Sequence, residues 1–199
     1  MKHSTWKHLE NLRDELDIKA GKRVQQFLAL AFLRIGAVNL TNNCVQGIDI
    51  EFELDECEWA VEVKMVISDD RNAVSLGNKD LGGLLGRTER GRRSLVAVLG
   101  NQLTDEWLFI PHPGSGLKPR DKTPMPLFRP FQLRDMQGPF EEGDDDNIDP
   151  TSPTGPMGLA GRIKEPFEQT VEEYIQIALK EDGETGLNKV LEKEGAQVS

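Results

Sequence analysis

The stretch GIDIEFELDECEWAVEVKM, residues 47–65, decides the architecture. Ile48, Ile50, Phe52 and Leu54 alternate with Asp49, Glu51, Glu53 and Asp55. Trp59, Val61, Val63 and Met65 alternate in the same way with Ala60, Glu62 and Lys64. Successive side chains of an extended strand point to opposite faces, so each run has one apolar and one polar face. Asp55, Glu56 and Cys57 lie between the runs as a tight turn. The spacing therefore predicts a β-hairpin.

Upstream, Leu9, Leu12, Leu16, Val24, Phe27, Leu28, Ala31 and Ile35 recur at three- and four-residue intervals, the period of helices. Gly21 is expected to divide two helices and Gly36 to end the second. Residues 37–41 suit a short strand. Downstream, residues 69–91 read as a loop followed by a helix from about Lys79, whose Gly82, Gly83 and Gly86 would let the backbone approach a sheet. LVAVL at 95–99 suits a buried strand, and EWLFI at 106–110 another.

After Pro111 prolines and glycines concentrate, and 138–161 is expected to be largely irregular, with 118–132 lying along the core. Phe167, Val171, Tyr174, Ile175 and Ala178 restore helical spacing over 163–181, with Gly183 as the stop and a short helix at 187–194. Their apolar stripe needs a partner, either the core or a second copy. The predicted fold class is α/β: an αβββαβ core with a mixed central sheet flanked by helices. Residues 1–135 form this core, 136–162 an acidic Pro/Gly-rich segment, and 163–199 a C-terminal helical extension.

Composition excludes several classes. The chain has 199 residues, 37% hydrophobic and 29% charged, enough to bury a core without disulfides or a structural metal. No apolar run approaches the roughly 18 residues of a membrane helix. The N-terminus lacks a signal-peptide core, so a cytoplasmic protein is expected. Cys44 and Cys57 form no zinc or disulfide pattern, and His3, His8 and His112 form no metal-ligand motif. Net charge is −10, but it is unevenly spread. Arg71, Lys79, Arg87, Arg90, Arg92 and Arg93 crowd one segment, whereas Glu141, Glu142, Asp144, Asp145, Asp146 and Asp149 crowd another. A local basic surface is compatible with an acidic whole.

The hairpin carries the chemistry. Glu62 and Lys64 are two apart and share a face, and antiparallel pairing can add Asp49 to it. With two carboxylates and an ammonium on one sheet surface, the like charges repel and each ion loses hydration, a cost that a hard divalent cation offsets. Mg²⁺ prefers carboxylate oxygens and keeps several waters. Such a site suits phosphodiester hydrolysis, with Lys64 orienting the attacking water or stabilising the phosphorane. The competing reading makes Glu62 and Lys64 the solvated face of an amphipathic hairpin.

In the order helix, strand, Gly-x-Asp strand, Glu-x-Lys strand, helix, strand, the chain resembles the PD-(D/E)xK, or restriction-endonuclease-like, nucleases. The resemblance rests on Gly47-Ile48-Asp49 and Glu62-Val63-Lys64 and covers about residues 22–110. It implies a metal-dependent nuclease with Asp49 and Glu62 binding Mg²⁺, for which Mn²⁺ substitutes. It further implies that the Val63 carbonyl completes the shell, that Lys64 is catalytic, and that the following helix holds the nucleic acid. Many relatives carry a glutamate in the first long helix, where this chain has Arg23-Val24-Gln25-Gln26-Phe27. Gln25 or Gln26 would then support the ligands in its place.

Lys79, Arg87 and Arg90 are the expected nucleic-acid contacts, with DNA favoured over RNA. The plainer role for such arginines is to complement a helix dipole. Glu51 shares the strand face of Asp49 and is either a further support to the metal or an exposed polar residue. Cleaving both strands of a duplex would favour a homodimer or a larger nuclease complex. Two alternatives remain: a noncatalytic nucleic-acid-binding or assembly subunit of a nuclease or helicase complex, and an acidic protein-interaction module.

Overall fold

Period-two patterning over 47–65 becomes the centre of a mixed sheet in the computed structural model, which describes residues 1–43, 47–66, 73–76, 78–100, 107–111, 123–126 and 156–199. The helices are α1 (His3–Leu16), α2 (Ala20–Arg34), α3 (Asn78–Thr88), α4 (Pro156–Ala178) and α5 (Gly183–Lys193). The strands are β1 (Val38–Asn42), β2 (Ile50–Leu54), β3 (Cys57–Val66), β4 (Ala73–Leu76), β5 (Arg93–Gly100), β6 (Trp107–Pro111), β7 (Thr123–Pro126) and β8 (Gln197–Val198). The main sheet has the order β6-β5-β3-β2-β1-β8, and β4 pairs with β7 apart from it. β3 lies parallel to β5 and antiparallel to β2, and the two-residue β8 runs parallel to β1. The protein is thus a mixed α/β fold with helices against the sheet, and α2, β1, β2, β3, α3 and β5 come in the order the sequence suggests, with β4 inserted between β3 and α3.

Strand parity sorts the sheet into two faces. Ile50, Phe52, Leu54, Trp59, Val61, Leu95 and Ala97 share one apolar cluster with Leu9, Leu12, Phe27, Phe32, Phe167, Val171 and Leu187 of the helices. Phe52 stacks on Phe32 with ring centroids 4.3 Å apart. The C-terminal helices therefore pack back on the core. On the opposite face Ala60, Val96 and Val98 are buried, as is Leu84 of α3, which packs on β3 and β5.

The hairpin closes through a two-residue turn, shorter than expected, because Cys57 already pairs with Leu54. Asp55 and Glu56 have φ of 52° and 62°. Two positive values define a type I′ turn, whose twist matches that of the strands. Aspartate tolerates this conformation better than glutamate does. Glu56→Gly should relieve about 1–2 kcal/mol of left-handed strain and lose part of that to unfolded-chain entropy. A net gain of roughly 0.5–1 kcal/mol is expected in urea unfolding. An unchanged or lower midpoint would refute it.

Several boundaries differ from expectation. The α1–α2 break falls at a 3-10 turn, Asp17–Lys19, with Asp17 at φ 48°, while Gly21 lies inside α2. α4 starts at Pro156, so residues 156–162 are helical rather than irregular. Proline at the first helical position forfeits no internal hydrogen bond. α4 ends at Ala178, and Gly183 opens α5 instead of stopping α4. A Cβ at Gly183 would lie 2.5 Å from the Ile177 carbonyl oxygen, so only glycine fits this corner. Within 118–132 the described piece is β7, paired with β4. Arg71, His112, Cys44 and the acidic run at 141–149 lie outside the described residues. Among the described residues no helix is long and apolar enough to cross a membrane.

Candidate active site

Between the sheet and α3 the polar face of the hairpin is covered. β3 runs on to Val66, whereas β2 begins only at Ile50, opposite Val61. Beyond Ile50 the Val63 N–H has no β2 ladder partner. The side chain of Asp49 takes its place, its Oδ2 accepting the Val63 N–H at 2.8 Å. The carbonyl of Asp49 is turned the other way, accepting from the Asn43 N–H at 2.8 Å and from Gln25 Nε2 at 3.0 Å. Gln25 Nε2 also donates to Asn42 Oδ1 at 2.9 Å and to the Asn43 carbonyl at 3.0 Å. Asp49 is thereby clamped between α2 and β3.

Glu62 and Lys64 lie on the same face of β3. Lys64 Nζ donates to Glu62 Oε1 at 2.7 Å and to Asp80 Oδ2 at 2.8 Å. Asp80 stands in the first turn of α3, where a carboxylate also complements the helix dipole. α3 comes close at this point: a Cβ on Gly83 would lie 2.8 Å from Ile48 Cδ1, next to Asp49. Asp49, Glu62 and Lys64 are thus brought together, with Asp80 as a further member.

Burial governs the charges here. Glu62 is 4% exposed. Burial, then the neighbouring Asp49, push its carboxyl from 4.5 up to about 7, and Lys64 pulls it down only in part. Asp49 is also raised by burial, against the Val63 N–H and the charges of Lys64 and Lys22. For Lys64, burial acts downward, but Glu62 and Asp80 outweigh it and hold the ammonium above its ordinary value. Among the described residues, Asp49, Glu62 and Asp80 lie around the Lys64 ammonium, and the charge of Lys22 also acts on Asp49.

The other sequence-predicted residues divide. Gln25 reaches the site, but Gln26 does not. Its Nε2 bonds to the Glu184 carbonyl at 2.9 Å and to Asn188 Oδ1 at 2.5 Å, on the α5 side of α2. Glu51 is not an exposed polar residue: it pairs with Arg87 and, at 2.9 Å, with Arg92, two cations that would compete with any metal for its oxygens. Arg87 is correspondingly engaged inside the protein. Lys79 and Arg90 are exposed, and among the described residues neither has a salt bridge. Arg93 lies over the Trp59 ring, 5.5 Å from its centroid.

Asp80 is the residue that sequence reasoning missed. Its available signal was an acidic position in the first turn of a helix, which by itself points only to the dipole. Among the described residues no group of three or more His, Cys, Asp or Glu side chains forms a ready-made metal cage. No family model matches the chain, and no curated protein or solved structure matches it.

Proposed function

We propose that the chain is a Mg²⁺-dependent nuclease of the PD-(D/E)xK type that hydrolyses phosphodiester bonds, in DNA rather than RNA. The observation that carries this reading is the convergence of Asp49, Glu62 and Lys64 on one face beneath α3, with Glu62 buried and Asp49 and Lys64 half-buried. Burying two carboxylates side by side costs stability, and Glu62 near 7 expresses that cost. A solvated hairpin face would carry no such burden.

The donor set fits a hard cation. Asp49 and Glu62 offer carboxylate oxygens. A strand residue projects its N–H and C=O to the same edge, so the Val63 carbonyl faces the side where Asp49 accepts the Val63 N–H. These three groups would hold the ion, and the mutual repulsion of Asp49 and Glu62 favours its entry. When bound, Mg²⁺ supplies Lewis-acid polarisation of a phosphoryl oxygen and a more acidic water. Asp49 needs little reorganisation, since Gln25 and Val63 already fix it. Lys64 directs an N–H toward negative charge developing on the phosphoryl group. Lys79 on α3 and Arg90 in the turn beyond it are exposed and would meet flanking phosphates.

A cleavage assay on linear, circular, branched and single-stranded DNA, and on RNA, with Mg²⁺ or Mn²⁺ tests the reading. Wild-type protein should cut at least one DNA substrate, and Asp49→Ala should lose cutting. Cleavage retained by Asp49→Ala would remove the site assignment. A noncatalytic nucleic-acid-binding or assembly subunit of the same fold is the second reading, favoured by Gln25 and Gln26 standing in place of a helix glutamate and by the net charge of −10. It predicts DNA affinity without cleavage, unaltered by Lys64→Ala.

A further inference from the structure

We propose that Asp80 is a positioning residue for Lys64, which makes α3 a working part of the site rather than a cover over it. The proposal rests on the nuclease reading for its catalytic consequence, but its geometric content stands apart from it.

An ammonium has three N–H donors on a flexible four-carbon stem. One hydrogen bond leaves the other two donors sweeping a cone. Two hydrogen bonds in different directions leave the third donor a single direction. Lys64 has two acceptors among the described residues, supplied by different elements: Glu62 on its own strand at 2.7 Å and Asp80 on α3 at 2.8 Å. Glu62 and Lys64, two apart on one strand, meet through strand geometry alone. Asp80 arrives only because α3 docks closely, which the missing side chain of Gly83 over Ile48 permits. Asp80 Oδ2 could have stayed in solvent at the helix start. Instead it lies at the ammonium, with its side chain 27% exposed.

The two anchors are unequal in use. In the nuclease reading Glu62 is a metal ligand, so its oxygens are shared with the cation when the site is loaded. Asp80 has no such duty and remains the anchor that keeps the third N–H of Lys64 aimed toward the phosphoryl group.

The test compares wild type, Asp80→Asn and Asp80→Glu. Asp80→Asn keeps size and one acceptor oxygen but removes the charge and turns the other oxygen into a donor. Supporting partners of metal-site residues typically contribute about 10–100-fold in activity. Asp80→Asn should therefore lower kcat by about 10–100-fold with KM nearly unchanged, and Asp80→Glu should restore part of it. A readout independent of cleavage is the ¹⁵Nζ–H signal of Lys64 in NMR of the full chain, assigned with Lys64→Arg, with and without Mg²⁺. Wild type should show a slowly exchanging ammonium that Asp80→Asn broadens or loses. Wild-type kcat together with an unchanged ammonium signal in Asp80→Asn would overturn the proposal. If the wild-type protein cuts no nucleic acid, the nuclease reading fails, and the NMR comparison still decides whether Asp80 positions Lys64.

Discussion

Replacing Lys64 with alanine is expected to lower phosphodiester cleavage by about a thousandfold while leaving the protein folded. Groups aimed at charge that develops in the transition state act in a partly dry site, where removing one costs about 10²–10³ in rate. Lys64 is such a group: its ammonium is the cation bonded to both Glu62 and Asp80, and its side chain is 26% exposed. Loss of a partner from a buried ion pair usually destabilises a fold, because it leaves a bare charge. Here the remedy is built in. Glu62, already pushed to about 7, can take up a proton once Lys64 is gone. Single-turnover cleavage and circular dichroism measure the two halves of the expectation. Cleavage within a few fold of wild type would dispose of a catalytic role for Lys64.

Glu62→Gln should have opposite effects on stability and on activity. In the unfolded chain this carboxyl releases its proton near 4.5, and in the folded chain it holds it to about 7. The stability linked to Glu62 is therefore full below about 4.5 and is lost as the pH rises toward 7. A displacement of that size corresponds to roughly 3 kcal/mol. Metal-free wild type should thus be less stable near pH 8 than near pH 5, and Glu62→Gln should remove most of that difference. The raised carboxyl of Asp49 acts in the same direction and would leave a smaller residual slope. Mg²⁺ should stabilise wild type more at the higher pH, where cation and proton no longer compete, and should do little for the glutamine variant. Urea unfolding at both pH values, with and without Mg²⁺, supplies the comparison. Parallel pH profiles for the two proteins would show that Glu62 is not the strained carboxylate.

Some of this site could be read from the chain because strand geometry is local. A period of two fixes which residues share a face, so Asp49, Glu62 and Lys64 were legible as a group once the hairpin was recognised. Their surroundings were not legible, because docking decides them. Gln25 and Gln26 are neighbours about 100° apart on a helix, and only the packing of α2 turns one toward Asp49 and the other toward Asn188. Glu51 finds Arg87 in the last turn of α3 and Arg92 beyond it, at separations that no local pattern records. The same holds for Asp80 and Lys64. β4 and β7 lacked any signal: AVSL and TPMP are four residues each, and two of the latter are prolines, which disfavour strands. The start of α4 was hidden by proline and glycine composition, although Pro156 at a helix start breaks no rule.

The pairing of α2 with α4 and α5 bears on how the chain is made. Arg23 of α2 is buried, and its guanidinium donates to the Ala178 carbonyl at 3.3 Å and to Glu184 at 3.1 Å. Those partners are translated up to 161 positions later. At ordinary ribosomal speeds the nascent α2 would wait roughly 8–30 s for them. During that interval its apolar stripe and an uncompensated guanidinium project from the ribosome together. A cation beside an apolar surface discourages premature collapse, and it also keeps that surface a temporary ligand for whatever chaperone attends the growing polypeptide.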